Sequence, residues 1–244
     1  AKAPADGYTL LACNFATHGL NPVIFRKVPY DPIREFTPVS MIGSAPNVLL
    51  VHPSTPMKTT SELIAYAKAN PGKLAMGSSA GGTSQYMSIE LLKMMAGIDV
   101  TPVPYKGGAP ALADLVAGQL AFMVENVPGT LPLVKDGKLR ALAVTSAKRV
   151  ALVPDLPTLQ EAGIVGYEMI GWNGLFVPAG TPRDIVAKLH DASAKVLRRP
   201  DVIEQLAKLG AESVGNPQPE FAAFVQAETD RWGRIIRDKG IKPE

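Results

Sequence analysis

The sequence has few of the residues from which most catalytic and metal sites are built. Its 244 residues include one cysteine, Cys13, and three histidines, His18, His52 and His190. A single cysteine excludes a disulfide framework and a thiolate metal site, and three scattered histidines lack the spacing of metal ligands. We therefore expect no metal and no cofactor. Cys13 lies in the apolar stretch YTLLACNF, which predicts a buried, unreactive thiol.

The sequence also lacks long apolar runs and a strong excess of charge of one sign. No run reaches the length that a membrane span needs, and the first residues, AKAPADGYTL, lack the features of a signal peptide. We expect that any export signal has been removed or left out. Lys and Arg number 25 against 22 Asp and Glu, a formal net charge of +3. A nucleic-acid interface needs a denser basic stripe, so we expect no nucleic-acid partner.

Strand-like and helix-like patterns alternate along almost the whole chain. The strand-like runs are apolar and end at turn residues: YTLLACNF, NVLLVHP, KLAMG, VTPVPY, LAFMVEN and LRALAVTS. Because the connections between strand-like and helix-like segments are short, the pattern predicts a parallel or mixed α/β sheet with helices on both faces. In such sheets, ligands bind beyond the carboxyl ends of the strands.

Capping patterns mark the helices between these runs. TTSELIAYAKANPGK begins with a capping box, Thr59 to Glu62. LPTLQEAG predicts a short helix, and further on we expect Thr181 to cap a helix that has Pro182 at its first position. Four more helices are predicted, in TSQYMSIELLKMMAG, in GGAPALADLVAG, from Pro200, and from about Pro219 to Lys239.

One glycine-rich stretch, GSSAGGTSQY, which begins at Gly77, fits three different motifs. Gly77, Ser79 and Gly81 fit G-x-S-x-G, the nucleophile elbow of serine hydrolases. Gly77 and Gly82 fit the G-x-x-x-x-G of a phosphate-binding loop, but Thr83 stands where that motif needs lysine. The third interpretation is an anion-binding turn, in which backbone N–H groups and hydroxyls at a helix N-terminus hold an anion without reacting with it.

The rest of the sequence argues against the two catalytic interpretations. In the elbow architecture the histidine follows the serine in the chain, and only His190 does so, in the helix-like stretch DIVAKLHDASAKV. A phosphate loop without lysine loses the group that reaches the outer phosphates, and the acid after LAFMV is Glu125 rather than the expected aspartate. A serine esterase that uses Ser79 remains the alternative to the anion-binding turn.

Two further strand ends resemble the glycine-rich stretch, because polar groups and backbone N–H groups follow the strand. In PYKGGAPAL, Gly107 and Gly108 open a helix beside Tyr105 and Lys106. CNFATHGLNP places three polar residues at the end of another strand: Asn14, Thr17 and His18. Three polar strand ends without a nucleophile, a base or a metal favour binding over catalysis.

Taken together, these segments resemble the extracytoplasmic receptors of tripartite tricarboxylate transporters, often called Bug proteins. The resemblance covers nearly the whole chain, in order, through DGYTLL, FTPVSMIGSAPNVLLVHPS, GSSAGGTSQY, VPYKGGAPALADLVAGQ, GKLRALAVTSAKR, PDLPTLQEAG and GWNGLFVPAGTP. It implies a non-enzymatic, periplasmic receptor with a two-lobed, flytrap-like α/β fold that closes on a small organic anion, usually a carboxylate. The partners that it implies are the membrane permease subunits of such a transporter.

The resemblance also implies where the lobes begin and end. The chain would cross between lobes near APNVLLV and return near GWNGLFVP. One lobe would then be residues 48–173, and the other would combine residues 1–47 with 174–244. Both glycine-rich helix starts fall in the lobe of residues 48–173, and Thr17 falls in the other.

We expect the ligand contacts to come from these stretches. Lys106 is either a contact or a solvated flank, and Tyr105 and Trp172 are either walls of the cleft or buried core. Glu125 stands where the family tends to have aspartate. Paired helix N-termini and hydroxyls favour a mono- or dicarboxylate held mainly by neutral donors. The candidate contacts are Thr17, His18, Ser78, Ser79, Gly82, Thr83, Ser84, Tyr105, Lys106, Gly107, Gly108, Glu125, Asn126 and Trp172.

Family members ordinarily carry a strand, a helix and a second strand before the segment with which this sequence begins. We therefore expect the first lobe to be incomplete at its N-terminus, with exposed strand edges and apolar surface around YTLLACNF. Exposed edges recruit another chain, and a missing segment removes one loop that clamps the ligand. We expect either self-association or weakened affinity for a carboxylate.

Overall fold

The computed structural model describes residues 1–25, 27–78 and 82–239, which form two compact units. Unit 1 comprises Ala1–Ala45 and the chain from Gly171 onward, and unit 2 comprises Pro46–Ile170. The strands are β1 (Leu11–Asn14), β2 (Phe36–Val51), β3 (Ala75–Ser78), β4 (Thr101–Pro104), β5 (Phe122–Asn126), β6 (Arg140–Val144), β7 (Ile170–Pro178) and β8 (Glu212–Ser213). The helices are α1 (Asn21–Ile24), α2 (Thr60–Ala69), α3 (Ser84–Ala96), α4 (Gly108–Val116), α5 (Val127–Lys135), α6 (Arg183–Leu197), α7 (Pro200–Lys208) and α8 (Gln218–Lys239), with a π-helix at Phe15–Leu20.

Unit 2 contains a mixed β-sheet. Strand β3 pairs in parallel with β4 and with β5, and the second half of β2 pairs antiparallel with β5 and β6. The carboxyl ends of β3, β4 and β5 therefore share one edge of the sheet, and these strands lead into α3, α4 and α5. Three helices begin at this edge, which is where an α/β sheet binds its ligands.

Close packing between α4 and the sheet explains the first glycine of GSSAGGTSQY. Val48, Leu50 and Met123 of the sheet form one buried cluster with Ala111 and other residues of α4. A Cβ added to Gly77 on β3 would lie 3.3 Å from the Cβ of Ala111 and 2.7 Å from a methyl of Leu120. Glycine at position 77 thus leaves room both for Ala111 of α4 and for Leu120.

Unit 1 is held together by strand pairing and by a buried aromatic group. Strand β1 pairs antiparallel with β7, with Leu11 opposite Phe176, and β8 pairs antiparallel with Gly43 and Ser44 of β2. Trp172, Phe176, Phe221 and Trp232 are each at most 1% exposed. Each buried side chain of this size contributes about 1.5–3 kcal/mol or more to stability. Among the described residues, no helix combines the length and hydrophobicity of a membrane crossing.

The sequence predicted most of these elements correctly, and one helix wrongly. Gly97 closes α3 in the left-handed conformation, at φ 63°, as expected, and α4, α6, α7 and α8 occur where the sequence predicts helices, whereas α5 was not predicted. LPTLQEAG, by contrast, forms turns. The amide of Val144 donates to the carbonyl of Pro157, and that of Leu159 donates to the carbonyl of Val144. This bridge to β6 competes with a helical start, so the short-helix prediction is wrong.

Two capping predictions also need correction. The hydroxyl of Thr59 accepts a hydrogen bond from the Glu62 amide, but the Glu62 carboxylate accepts from the Lys58 amide at 2.6 Å, so only half of the capping box forms. The hydroxyl of Thr181 donates to the carbonyl of Pro178 at 2.8 Å instead of capping α6. Pro182, expected at the first helical position, is the N-cap.

Candidate functional site

The glycine-rich stretch after β3 leads into α3 through Thr83. Gly82 has φ 90°, and Thr83 is the N-cap, whose hydroxyl accepts from the Tyr86 amide at 3.2 Å. Ser78 is 4% exposed, and its carbonyl accepts from the Tyr105 amide. Ser79 lies outside the described residues, so its predicted role as contact or nucleophile has no structural description. The Thr83 cap gives α3 a defined start at the sheet edge.

A buried polar chain lies behind the start of α3. Asn47 is fully buried, and its Nδ2 donates to the hydroxyls of Ser84 and Ser88, at 3.3 Å each. Ser84 in turn donates to Oε1 of Gln85 at 3.2 Å. Thr145 accepts from the Asn47 amide at 2.8 Å, whereas Oδ1 of Asn47 has no partner among the described residues. Because buried polar atoms are normally hydrogen-bonded, we expect this oxygen to accept from a donor outside these residues.

The second glycine-rich turn leads into α4. Gly107 is the N-cap, with φ 112°, a conformation that favours glycine, and no side chain caps this helix. Tyr105 donates its hydroxyl to Asp114 within α4 at 2.6 Å, and this bond raises the pKa of Tyr105. Lys106 is exposed. Tyr105 therefore packs along α4, and the backbone of Gly107 and Gly108 forms the turn itself.

Glu125 at the end of β5 lies against both helix starts. The side chain is 8% exposed. Its Oε1 accepts from Nε2 of Gln85 at 2.9 Å and from the Asn126 amide at 2.8 Å. A Cβ added to Gly108 would overlap Oε2 and lie 2.8 Å from the carboxyl carbon. Asn126, the next residue, is the N-cap of α5.

Of the contacts predicted in unit 2, Ser84 and Glu125 are thus connected by hydrogen bonds, and Gly108 packs directly against Glu125. Gln85 makes this connection and Asn47 extends it behind Ser84, and neither residue was among the predicted contacts. Asn47 is the polar residue in the otherwise apolar run NVLLV, and Gln85 follows two hydroxyl residues at a helix start. These positions are the signals by which they could have been found. The described residues contain no group of three or more potential metal ligands.

Thr17 and His18 lie in unit 1, on the π-helix. Thr17 forms a reciprocal cap with Asn14. His18 is 2% exposed, with its ring 4.5 Å from that of Phe176 and 5.0 Å from that of Phe36. Burial lowers the pKa of His18 from 6.5 to about 4. The imidazole is therefore neutral at physiological pH and does not offer a positive charge to an anion.

A cavity of about 420 Å³ in unit 1 is lined by Thr17 and His18 together with mostly apolar residues, among them Leu11, Cys13 and Phe36. Cys13 is 7% exposed, which confirms the predicted burial, and this burial raises the pKa of its thiol from 9.0 to about 12.

Trp172 is also in unit 1, in its aromatic core. The ring is 1% exposed and meets Phe221 and Phe224 edge to face, with centroids 5.9 Å and 5.7 Å away. Its Nε1 has no partner among the described residues. Of the two interpretations that the sequence left open, this packing corresponds to buried core.

His190, which the serine-hydrolase alternative needs as a base, lies on α6. Its Nδ1 is 3.1 Å from Oδ1 of Asp191, and its Nε2 is 3.2 Å from the carbonyl oxygen of Asn216. Both ring nitrogens are therefore engaged by groups other than a serine. This arrangement provides no support for a nucleophile–base pair.

Comparison with known proteins places the chain among transport receptors. A profile described as "Tripartite tricarboxylate transporter family receptor" matches residues 1–241. Protein BugT of Bordetella pertussis is 33% identical over 243 residues, which are 99% of this chain and 74% of that protein.

Solved structures show the same fold. An R. palustris protein solved with adipate is 40% identical, with a TM-score of 0.85 over 100% of this chain and 81% of that one. MatC from Rhodopseudomonas palustris, with bound malate, is 35% identical, with a TM-score of 0.79 over 96% of this chain and 81% of that one. The predicted fold class, mixed α/β of the solute-binding-protein type, is confirmed. The predicted lobe limits and ligand contacts stay predictions.

Proposed function

This chain belongs to the tripartite tricarboxylate transporter receptor family, as its sequence predicts, and we propose on that premise that it is a non-enzymatic receptor for a small mono- or dicarboxylate. We place the ligand at the edge of unit 2 where α3, α4 and α5 begin. The proposal includes a periplasmic location and delivery of the ligand to the membrane permease subunits of a tripartite transporter.

The observation that carries the proposal is the gathering of three helix starts at one edge of the unit 2 sheet. The first four N–H groups of a helix lack intrahelical partners, and the partial positive charge of the N-terminus favours an anion. Adipate and malate, which two solved relatives hold, are carboxylates and match this environment. No buried basic side chain is needed, because N–H groups and hydroxyls supply the donors.

We propose that the two glycine-containing turns supply most of the contacts. Gly82, Thr83 and Ser84 present amides and hydroxyls at α3, and Gly107 and Gly108 present amides at α4. The Ser84 hydroxyl accepts from Asn47 and donates its one hydrogen to Gln85, so it fixes the start of α3 before a ligand arrives. Such preorganisation reduces the entropy that binding must overcome.

A thermal-shift panel of carboxylates, amino acids, aromatic acids and neutral sugars tests this function. A ligand present at about one hundred times its Kd stabilises the protein by about 2.7 kcal/mol. For a chain of this length, about 2–4 °C per kcal/mol corresponds to a rise in Tm of several degrees. We expect carboxylates alone to produce it.

Two matched serine variants test whether the carboxylate binds at the start of α3. Ser84→Ala should weaken the best carboxylate by about fivefold, or about 1 kcal/mol, because it removes the hydroxyl that links Asn47 to Gln85 at the start of α3. Ser61→Ala, an exposed serine in the first turn of α2, should leave the affinity unchanged. A panel in which sugars shift Tm and acids do not would contradict the proposal. Labelling of Ser79 by a fluorophosphonate would support an esterase instead.

A further inference from the structure

We propose that Glu125 acts as an internal anion at the start of α4 and thereby makes the receptor discriminate against ligands that bring a second carboxylate to that position. This inference rests on the proposed function and names a specificity residue within its site. Glu125 is 8% exposed and lies against Gly108, the first residue of α4. A helix N-terminus favours one negative charge beside it, and here the chain itself supplies that charge.

The structure fixes this side chain from two sides. Oε1 of Glu125 accepts from Nε2 of Gln85 and from the Asn126 amide. Gln85 is itself oriented, because its Oε1 accepts from Ser84, which accepts from Asn47. Both contacts to Glu125 are from donors, so the group serves as an acceptor. The polar chain therefore holds the carboxylate at α4 before any ligand binds.

The glycine at position 108 keeps this place open for Glu125. Gly108 is helical, and its φ is not in the left-handed region, so its backbone does not require glycine. Any side chain there would overlap Oε2 of Glu125. Meanwhile, the wholly buried Oδ1 of Asn47, unpaired among the described residues, lies beside the α3 start. A ligand with one carboxylate at α3 and a neighbouring hydrogen-bond donor for Oδ1 of Asn47 suits this arrangement. A second carboxylate at α4 would be repelled by the charge of Glu125.

Adipate and hexanoate form the test pair, because they share a six-carbon chain and differ in one carboxylate. Isothermal titration compares both probes on the wild type, on Glu125→Gln, which removes the charge, and on Glu125→Ala, which also removes the volume. We expect adipate to gain at least tenfold in affinity relative to hexanoate in both variants. Glu62→Gln, an exposed acid in the first turn of α2, is the control and should not change that ratio.

A second readout does not depend on carboxylate binding. Inorganic sulfate should raise the Tm of Glu125→Ala more than that of the wild type, because the vacated helix start accepts an anion. If both probes bind with an unchanged ratio, the role of Glu125 is overturned and the proposed function stands. If neither probe binds but sulfate distinguishes the variant, the carboxylate function and the discrimination both fail, and only the place of Glu125 as an anion at the start of α4 stands. If neither probe binds and sulfate acts equally on both proteins, both are overturned.

Discussion

Gly108→Ala gives a stability test of the contact between Glu125 and the start of α4. An alanine Cβ at this position would overlap Oε2 of Glu125 and lie 2.8 Å from its carboxyl carbon. The carboxylate must therefore move away from Nε2 of Gln85 and the Asn126 amide, which it now accepts from at 2.9 Å and 2.8 Å. Hydrogen bonds to a charged group contribute about 1.5–3 kcal/mol each, and water replaces part of that loss.

The backbone term acts in the opposite direction. Replacing glycine with alanine inside a helix stabilises it by up to about 1 kcal/mol. The net effect should be a loss of about 1–3 kcal/mol in the free energy of unfolding, which lowers Tm by about 2–12 °C for a chain of this length. Chemical denaturation followed by circular dichroism measures the first quantity, and a thermal melt measures the second.

Gly129→Ala is the matched control for this test. Gly129 lies in α5, and a Cβ added there meets nothing within 4 Å. Alanine at 129 should therefore be neutral or stabilising. In a Glu125→Ala background, Gly108→Ala should lose its cost, since the overlapping atoms are gone. Equal effects at positions 108 and 129, or an unchanged cost in that background, would refute the reasoning.

Two further predictions concern buried groups of unit 1. Burial lowers the pKa of His18 from 6.5 to about 4. The contribution of neutral His18 to the free energy of unfolding is therefore complete above pH 6.5 and is lost as pH falls toward 4. The loss is about 3 kcal/mol at 1.36 kcal/mol per pKa unit. Denaturation at pH 7 and at pH 4.5 should show that the stability of His18→Gln depends less on pH than that of the wild type. Equal pH dependence in the two proteins would contradict the burial argument. Trp232 donates its Nε1 to Glu228 at 3.2 Å, whereas Nε1 of Trp172 has no partner among the described residues. Trp232→Phe should therefore destabilise by about 1–2 kcal/mol more than Trp172→Phe in urea titrations, and equal costs would show that the Glu228 bond contributes little.

The sequence predicted the elements that local chemistry determines. Helix α3 begins after Thr83 and ends at Gly97, as these residue types indicate. The apolar runs become the strands of a mixed sheet. Local rules failed where a distant partner competes. The region of LPTLQEAG bridges to β6, and Thr181 turns back to the carbonyl of Pro178.

The candidate site was only partly predictable for the same reason. The glycine-rich turns are visible as motifs, but the role of Gly108 depends on Glu125, which comes from a different strand. Asn47 reaches Ser84 from 37 positions away, and Gln85 reaches Glu125 from 40. Such pairs exist only once the sheet has brought its strand ends together, so no short window of sequence contains them.

The pairing of β1 with β7 has a consequence for the order in which the chain folds. Unit 2 is one continuous stretch, whereas β1 must wait for a partner from the far side of it. At about 5–20 residues per second, the roughly 165 residues between Leu11 and Phe176 take about 8–33 s to synthesise. Pro46–Ile170 are synthesised within that interval, so every strand of unit 2 has its partners before the apolar residues of β1 have theirs. A chaperone that binds the unfolded chain would therefore have to protect the apolar residues of β1 for longest.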